Sequence, residues 1–115
     1  MIYPTIQPEL LALEKILREP LGEHEWEYTI VGDLGHKPCG CALHVAWSHG
    51  LIDKDTVLSC SYAWSRHFGL TLSEARQIFV YAEELVGKNS YSEITPTDVA
   101  DAIAITIANR SNPHG

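Results

Sequence analysis

The sequence contains little cysteine, which limits the compartments and the stabilising cross-links open to it. Its three cysteines, Cys39, Cys41 and Cys60, cannot all pair within one chain. Cys39 and Cys41 are also too close along the chain for an unstrained bridge. A disulfide framework is therefore excluded, and we expect reduced thiols in the cytoplasm.

Positive charge and long apolar runs are also scarce. Eight Lys and Arg residues face 15 Asp and Glu residues, which gives a formal net charge of -7. Such a surface repels a phosphate backbone, so we expect no nucleic-acid binding. No apolar run reaches the roughly 18 residues of a membrane span. The start, Met1 to Pro4, lacks the basic and then apolar pattern of a secretory signal, so we expect no membrane association and a cytoplasmic location.

What remains is an ordinary globular composition with helical periodicity. With 115 residues, 45% of them hydrophobic and 20% charged, the chain suits one compact domain over residues 1–110 and a flexible tail over 111–115. Apolar spacing and cap residues predict a mainly α fold of about five helices. These helices are expected from Pro8 to about Pro20, from Cys39 to Gly50, from Asp53 or Asp55 to His67, from Thr71 to Gly87, and from Thr95 onward.

The sequence also predicts the buried faces, the caps and one ion pair of these helices. The helix from Cys39 is apolar nearly all round and should be central. The next helix should carry a buried stripe of Val57, Cys60, Trp64 and Phe68. Thr71 with Glu74 reads as a capping box, and Thr95-Pro96 as a threonine cap followed by proline at the first helical position. Glu14 and Arg18, four residues apart, should pair.

One part of the chain alternates like a strand. Trp26, Tyr28 and Ile30 alternate with polar residues. A short two-stranded ribbon between residues 2–6 and 26–31 is therefore the alternative to a coil in this region.

The acidic residues are unevenly distributed. Five of them fall between residues 19 and 33, and they are either a solvated loop face or a patch that meets a basic partner. Ile105 projects on the side of Asp98 and Asp101, where an isoleucine is either a tolerated surface residue or a contact with a partner or a second copy. The candidate partner-binding residues are Glu19, Glu23, Glu25, Glu27, Asp33 and Ile105.

The segment from His36 to His44 is the richest in groups with chemical potential. Cys41 and His44, three residues apart on a helix, could share a zinc ion, with Cys39 or His36 as a third ligand. Alternatively, a thiol at the start of a helix has a lowered pKa and could act as a nucleophile if a histidine lies close. The third interpretation is structural, since cysteine is small and apolar and suits a buried helix start. The candidate metal ligands are Cys39, Cys41 and His44.

Three segments of the chain together carry a resemblance to a known family. They are, in chain order, Cys39-Gly40 through Ala46-Trp47, Phe68-Gly69-Leu70-Thr71 through Glu74-Ala75 and Ile78-Phe79, and Ile94-Thr95-Pro96 through Val99-Ala100 and Ala102-Ile103. Over roughly residues 36–108 the sequence resembles a family of small bacterial and bacteriophage proteins of unknown function. The resemblance implies a compact helical domain and an origin in a mobile element, and it supplies no catalytic residues.

The leading hypothesis from the sequence is a non-enzymatic protein-binding or regulatory module, derived from a phage or mobile element. It would act on a host protein with a basic surface through its acidic residues, as a single chain or a homodimer, and would need no cofactor. The alternative is a metal-binding or cysteine-dependent site built on Cys39, Cys41 and His44, for which zinc is the expected ion.

Overall fold

The computed structural model describes residues 3–21, 40–57, 59–89 and 94–111. These residues form seven α-helices and no strand, which confirms the mainly α fold class. None of the described helices is long and apolar enough to cross a lipid bilayer. The helices are α1 (Pro8–Arg18), α2 (Gly40–Ser48), α3 (Lys54–Val57), α4 (Ser61–Phe68), α5 (Leu72–Phe79), α6 (Ala82–Val86) and α7 (Pro96–Ser111).

The described helices share one hydrophobic core, and the longest helix, α7, runs through it. It packs against α1, α2, α5 and α6. Its buried side chains are small or branched, which lets neighbouring helices pack closely against it. The buried residues of α7 are Val99, Ala100, Ala102, Ile103 and Thr106.

The second central element is α2, as its sequence predicts. Ala42, Leu43, Val45 and Ala46 are all buried, and the helix packs against α1, α3, α5 and α7. A helix that is apolar nearly all round removes its side chains from water only when other helices surround it in the interior.

The helix expected from Asp53 or Asp55 to His67 is divided into α3 and α4. The indole Nε1 of Trp64 donates a hydrogen bond to the carbonyl oxygen of Val57 at 3.0 Å. In a continuous helix that oxygen would accept from the N–H of Ser61. Asp53 caps the first part, since its carboxylate accepts from the backbone N–H of Thr56 at 3.2 Å.

The helix expected from Thr71 to Gly87 is likewise divided, at Val80 and Tyr81. The backbone N–H groups of both residues donate to the carbonyl oxygen of Arg76, each at 2.8 Å. The second of these bonds widens the last turn of α5, and α6 then starts in a new direction. β-Branched and aromatic residues at the junction favour helix only weakly.

The predicted helix caps are confirmed. Thr71 and Glu74 form a reciprocal capping box, and Thr95 with Asp98 forms the same arrangement at the start of α7. Gly69 and Gly87 end α4 and α6 in the left-handed conformation that glycine adopts without strain.

Residues 3–7 lie across the junction of α4 and α5 and are held there by hydrogen bonds to their backbone. The N–H of Gln7 donates to the carbonyl oxygen of Phe68 at 3.0 Å. The Arg110 guanidinium donates to Pro4 O at 2.7 Å and to Gly69 O at 3.0 Å. The same guanidinium forms an ion pair with the buried Glu74.

The remaining predictions about secondary structure fall partly outside the described residues. Residues 3–6 form no strand, and residues 26–31, the other half of the predicted ribbon, lie outside the described ranges. Helix α7 reaches Ser111, and residues 112–115 of the predicted tail are also outside them.

Candidate functional site

The described start of the acidic stretch lies where the end of α1 meets α7. Helix α1 ends at Arg18 because Glu19 has an extended backbone, with φ -95° and ψ 160°, and Pro20 follows. Glu19 is exposed. It lies at a groove of about 520 Å³ between the two helices, which we call the α1–α7 groove. The groove is lined by Leu17, Arg18, Glu19, Pro20, Leu21, Pro96 and Thr97.

The single cation lining this groove is neutralised by carboxylates. Arg18 donates to Asp101 at 2.9 Å and lies 3.3 Å from Glu14 on its own helix. The predicted pairing of Glu14 with Arg18 is therefore confirmed. The hydrogen bond to Asp101, together with the weaker one to Glu14, raises the pKa of the Arg18 guanidinium above its ordinary value.

Negative charge remains after this neutralisation. Glu14, Glu19 and Asp101, which we call the acidic edge, supply three carboxylates against the one guanidinium of Arg18. Because these groups are at the surface, the pairs contribute little to stability, but the excess charge is open to an approaching cation.

Of the other predicted partner-binding residues, the structure describes only Ile105. Ile105 is half-buried on α7, one helical turn after Asp101 and thus on the same side as the acidic edge. Glu23, Glu25, Glu27 and Asp33 lie outside the described residues.

Of the predicted metal ligands, only His44 has a described side chain. It is partly buried on α2 and its ring stacks on Trp47 with 5.8 Å between ring centroids. Its Nδ1 is buried and has no hydrogen-bond partner among the described residues. Cys41 is in the first turn of the same helix, and Cys39 lies outside the described ranges. No three His, Cys, Asp or Glu side chains in the described part of the chain gather as metal ligands would.

The sequence prediction for Cys60 is wrong. Val57, Trp64 and Phe68 of the expected stripe are buried, but Cys60 is exposed because α4 begins only at Ser61. Its sulfur lies at the N-cap, where the backbone N–H groups of Ala63 and Tyr62 and the hydroxyl of Ser59 lower the pKa of the thiol. The sequence Ser59-Cys60-Ser61 held the relevant signal, since serine marks helix starts.

A second surface that the sequence patterns did not reveal lies between α5 and α6. A groove of about 490 Å³, the α5–α6 groove, contains two of the exposed large hydrophobic residues, Leu72 and Tyr81. The complete lining is Leu72, Ser73, Arg76, Gln77, Tyr81 and Glu84.

Comparison with models of protein families, with curated proteins and with solved structures finds no significant match. The resemblance to small bacterial and bacteriophage proteins stays a prediction from the residues that carry it.

Proposed function

We propose that this chain is a non-enzymatic protein-binding module of the cytoplasm, derived from a phage or mobile element, whose acidic edge meets a basic surface on another protein. The observation that carries the proposal is the excess of carboxylates at the acidic edge: Glu19 lines the α1–α7 groove, and Arg18, the single cation of its lining, is already paired with both Glu14 and Asp101.

The sequence adds further acidic residues shortly after Glu19. Four further carboxylates follow within the next 14 residues of the chain, outside the described ranges. A partner with clustered lysine or arginine would be attracted over a distance, since complementary charge raises the rate of encounter and orients it. The residues concerned are Glu23, Glu25, Glu27 and Asp33.

The apolar part of the groove adds a requirement on the partner. Leu21 is half-buried beside Pro20 and Pro96, so an apolar side chain next to the partner's basic residues would be removed from water there. Affinity would come from that contact, and orientation from the charges.

Charge reversal at Glu19 tests the proposal. Immobilised protein is used to capture proteins from a cell lysate at about 50 mM and about 200 mM salt. We expect Glu19→Lys to capture several-fold less of the bound protein at the lower salt, and the triple variant Glu23→Lys/Glu25→Lys/Glu27→Lys to capture less again, with circular dichroism unchanged.

Asp55→Lys is the matched control, because Asp55 is also exposed but belongs to α3. It makes the same change in net charge and should leave capture as in the unaltered chain. Equal capture by all variants, or equal loss with Asp55→Lys, would mean that the acidic edge is not the binding surface.

A second candidate function is favoured by the buried Nδ1 of His44, which has no hydrogen-bond partner among the described residues. We propose as the alternative a metal-binding or cysteine-dependent site of Cys39, Cys41 and His44. Neutral imidazole and thiolate are preferred zinc ligands, and a ring nitrogen held without a partner is available to coordinate.

Native mass spectrometry of gently purified protein separates the two candidates. A mass excess of one zinc or iron ion that is lost on denaturation, and lost in Cys41→Ser but not in Cys60→Ser, would support the metal site. Protein that is free of metal and whose Cys39 and Cys41 thiols resist alkylation would rule this alternative out.

A further inference from the structure

The α5–α6 groove differs in charge from the rest of the molecule. In a chain with a net charge of -7, its lining contains one cation, Arg76, and one exposed anion, Glu84, with neutral residues between them. Neither forms an ion pair with another described side chain. The groove is thus neutral overall but has a positive and a negative site.

The groove also exposes apolar surface. Leu72 is 37% exposed and Tyr81 is 47% exposed, and they are two of the five large hydrophobic residues that the described chain leaves open to water. Helix α5 buries Ala75, Ile78 and Phe79, whereas Leu72 and Arg76 on the same helix are exposed. Tyrosine and arginine are enriched in protein interfaces, where they supply large contact areas.

We propose that the α5–α6 groove is a surface through which two copies of this chain associate about a two-fold axis. In such an interface the same patch meets itself, so each charged group must find its opposite on the same patch. Arg76 of one copy would pair with Glu84 of the other, and the reverse pair would form on the other side of the axis.

The same association would cover the apolar residues of the groove. Tyr81 lines the groove together with Arg76 and Glu84, so contact between two copies here would also remove its exposed ring from water. A basic partner fits the acidic edge better than this neutral groove. A patch with equal and opposite charges beside exposed apolar groups is complementary to itself.

The association is expected to be weak. Six lining residues per copy compare with roughly 20–30 per side in a stable interface. We therefore expect a dissociation constant in the micromolar range or above, and the proposal does not depend on the partner of the acidic edge.

Sedimentation velocity from about 1 μM to about 1 mM protein, with reductant present to exclude disulfide-linked pairs through Cys60, tests the proposal. The unaltered chain should shift toward twice its monomer mass as concentration rises. Arg76→Glu and Glu84→Arg should each weaken association by tenfold or so, because each places like charges opposite one another.

Mixing the two single variants is the decisive step. One copy then carries two acidic groups and the other two basic groups, so both pairs across the axis become attractive. The mixture, and the double variant Arg76→Glu/Glu84→Arg, should associate again. Arg66→Glu is the matched control: Arg66 is an exposed arginine on α4 whose guanidinium lies over the Tyr62 ring, and its reversal should leave association unchanged.

A chain that stays monomeric up to about 1 mM would overturn the proposal. Dimers that persist in both single variants, or a mixture that fails to associate although each variant is folded by circular dichroism, would also overturn it.

Discussion

The chemistry of Cys60 depends on where α4 begins. Because α4 begins at Ser61, Cys60 is the N-cap residue, and the backbone N–H groups of Ala63 and Tyr62, which have no partner within the helix, lower the pKa of its thiol. These N–H groups favour the thiolate over the thiol. Cys60 is a free and exposed cysteine, and an exposed cysteine with a lowered pKa is reactive.

Alkylation measures this effect. In a chain with Cys39→Ser and Cys41→Ser, we expect the labelling rate of Cys60 to reach half its maximum below about pH 9, the ordinary pKa of a cysteine. The same chain unfolded in urea should titrate at the ordinary value, since the N–H groups are no longer held near the sulfur. Identical titration curves in the two states would contradict the lowered pKa.

At the scale of the elements, Gly69 joins α4 to α5 and allows the N-terminal segment to lie against that junction. Its φ is +73°, and a Cβ there would overlap the carbonyl group of Thr5. Glycine is thus required both for the left-handed turn and for the close approach of residues 3–7.

Two glycine substitutions separate these requirements. Gly87 has a similar φ of +78° but nothing within 4 Å of the position of a Cβ. Gly87→Ala should lower the free energy of unfolding by about 1 kcal/mol, the cost of left-handed backbone. Gly69→Ala should cost about 1–3 kcal/mol more, because it adds a steric overlap. Urea denaturation gives both values, and equal losses would show that the contact with Thr5 is unimportant.

The elements also show what the sequence could and could not predict. Caps are local, so the starts at Thr71 and Thr95 and the stops at Gly69 and Gly87 were predictable from short patterns. The break between α3 and α4 has only a weak local signal, the serines on either side of Cys60, because it involves the indole of Trp64, seven residues away from the carbonyl oxygen that it binds. The exposure of Cys60 follows from that break.

The candidate site was predictable only in part. The Glu14–Arg18 pair followed from spacing along one helix. The second partner of Arg18, Asp101, is 83 residues away in sequence. The acidic edge could therefore not be predicted, because it is formed by the packing of α1 on α7. For the same reason the α5–α6 groove, which depends on the new direction of α6, had no signature in the sequence.

At the scale of the whole molecule, stability should depend on pH through carboxylates that the fold holds ionised. Burial alone raises the pKa of Glu74, but Arg110 and the backbone N–H of Thr71 outweigh burial and hold the pKa below its ordinary value. Asp98 behaves in the same way, with Thr95 and Lys88 as its partners.

The sign of the effect follows from these lowered pKa values. The unfolded chain takes up protons at a higher pH than the folded one, so the stabilisation is fully present above about pH 4.5, the ordinary value for glutamate, and is lost as pH falls through the folded pKa. Glu74→Gln should lower the free energy of unfolding by about 2 kcal/mol at pH 7, and by clearly less at pH 3. Urea denaturation at both values checks this, and a constant difference would contradict it.

The hydrogen bond from Arg110 to Pro4 has a consequence for the connectivity of the chain. It joins residues that are 106 positions apart, so the two ends of the described chain lie side by side. Because the fold already holds these ends together, a short glycine-rich linker could join them at little cost in conformational entropy. The joined chain could then be given a new N-terminus and a new C-terminus by cutting it after the exposed Gly87. In this circular permutant α7 would precede α1 in sequence, and every helix would keep its position in the fold.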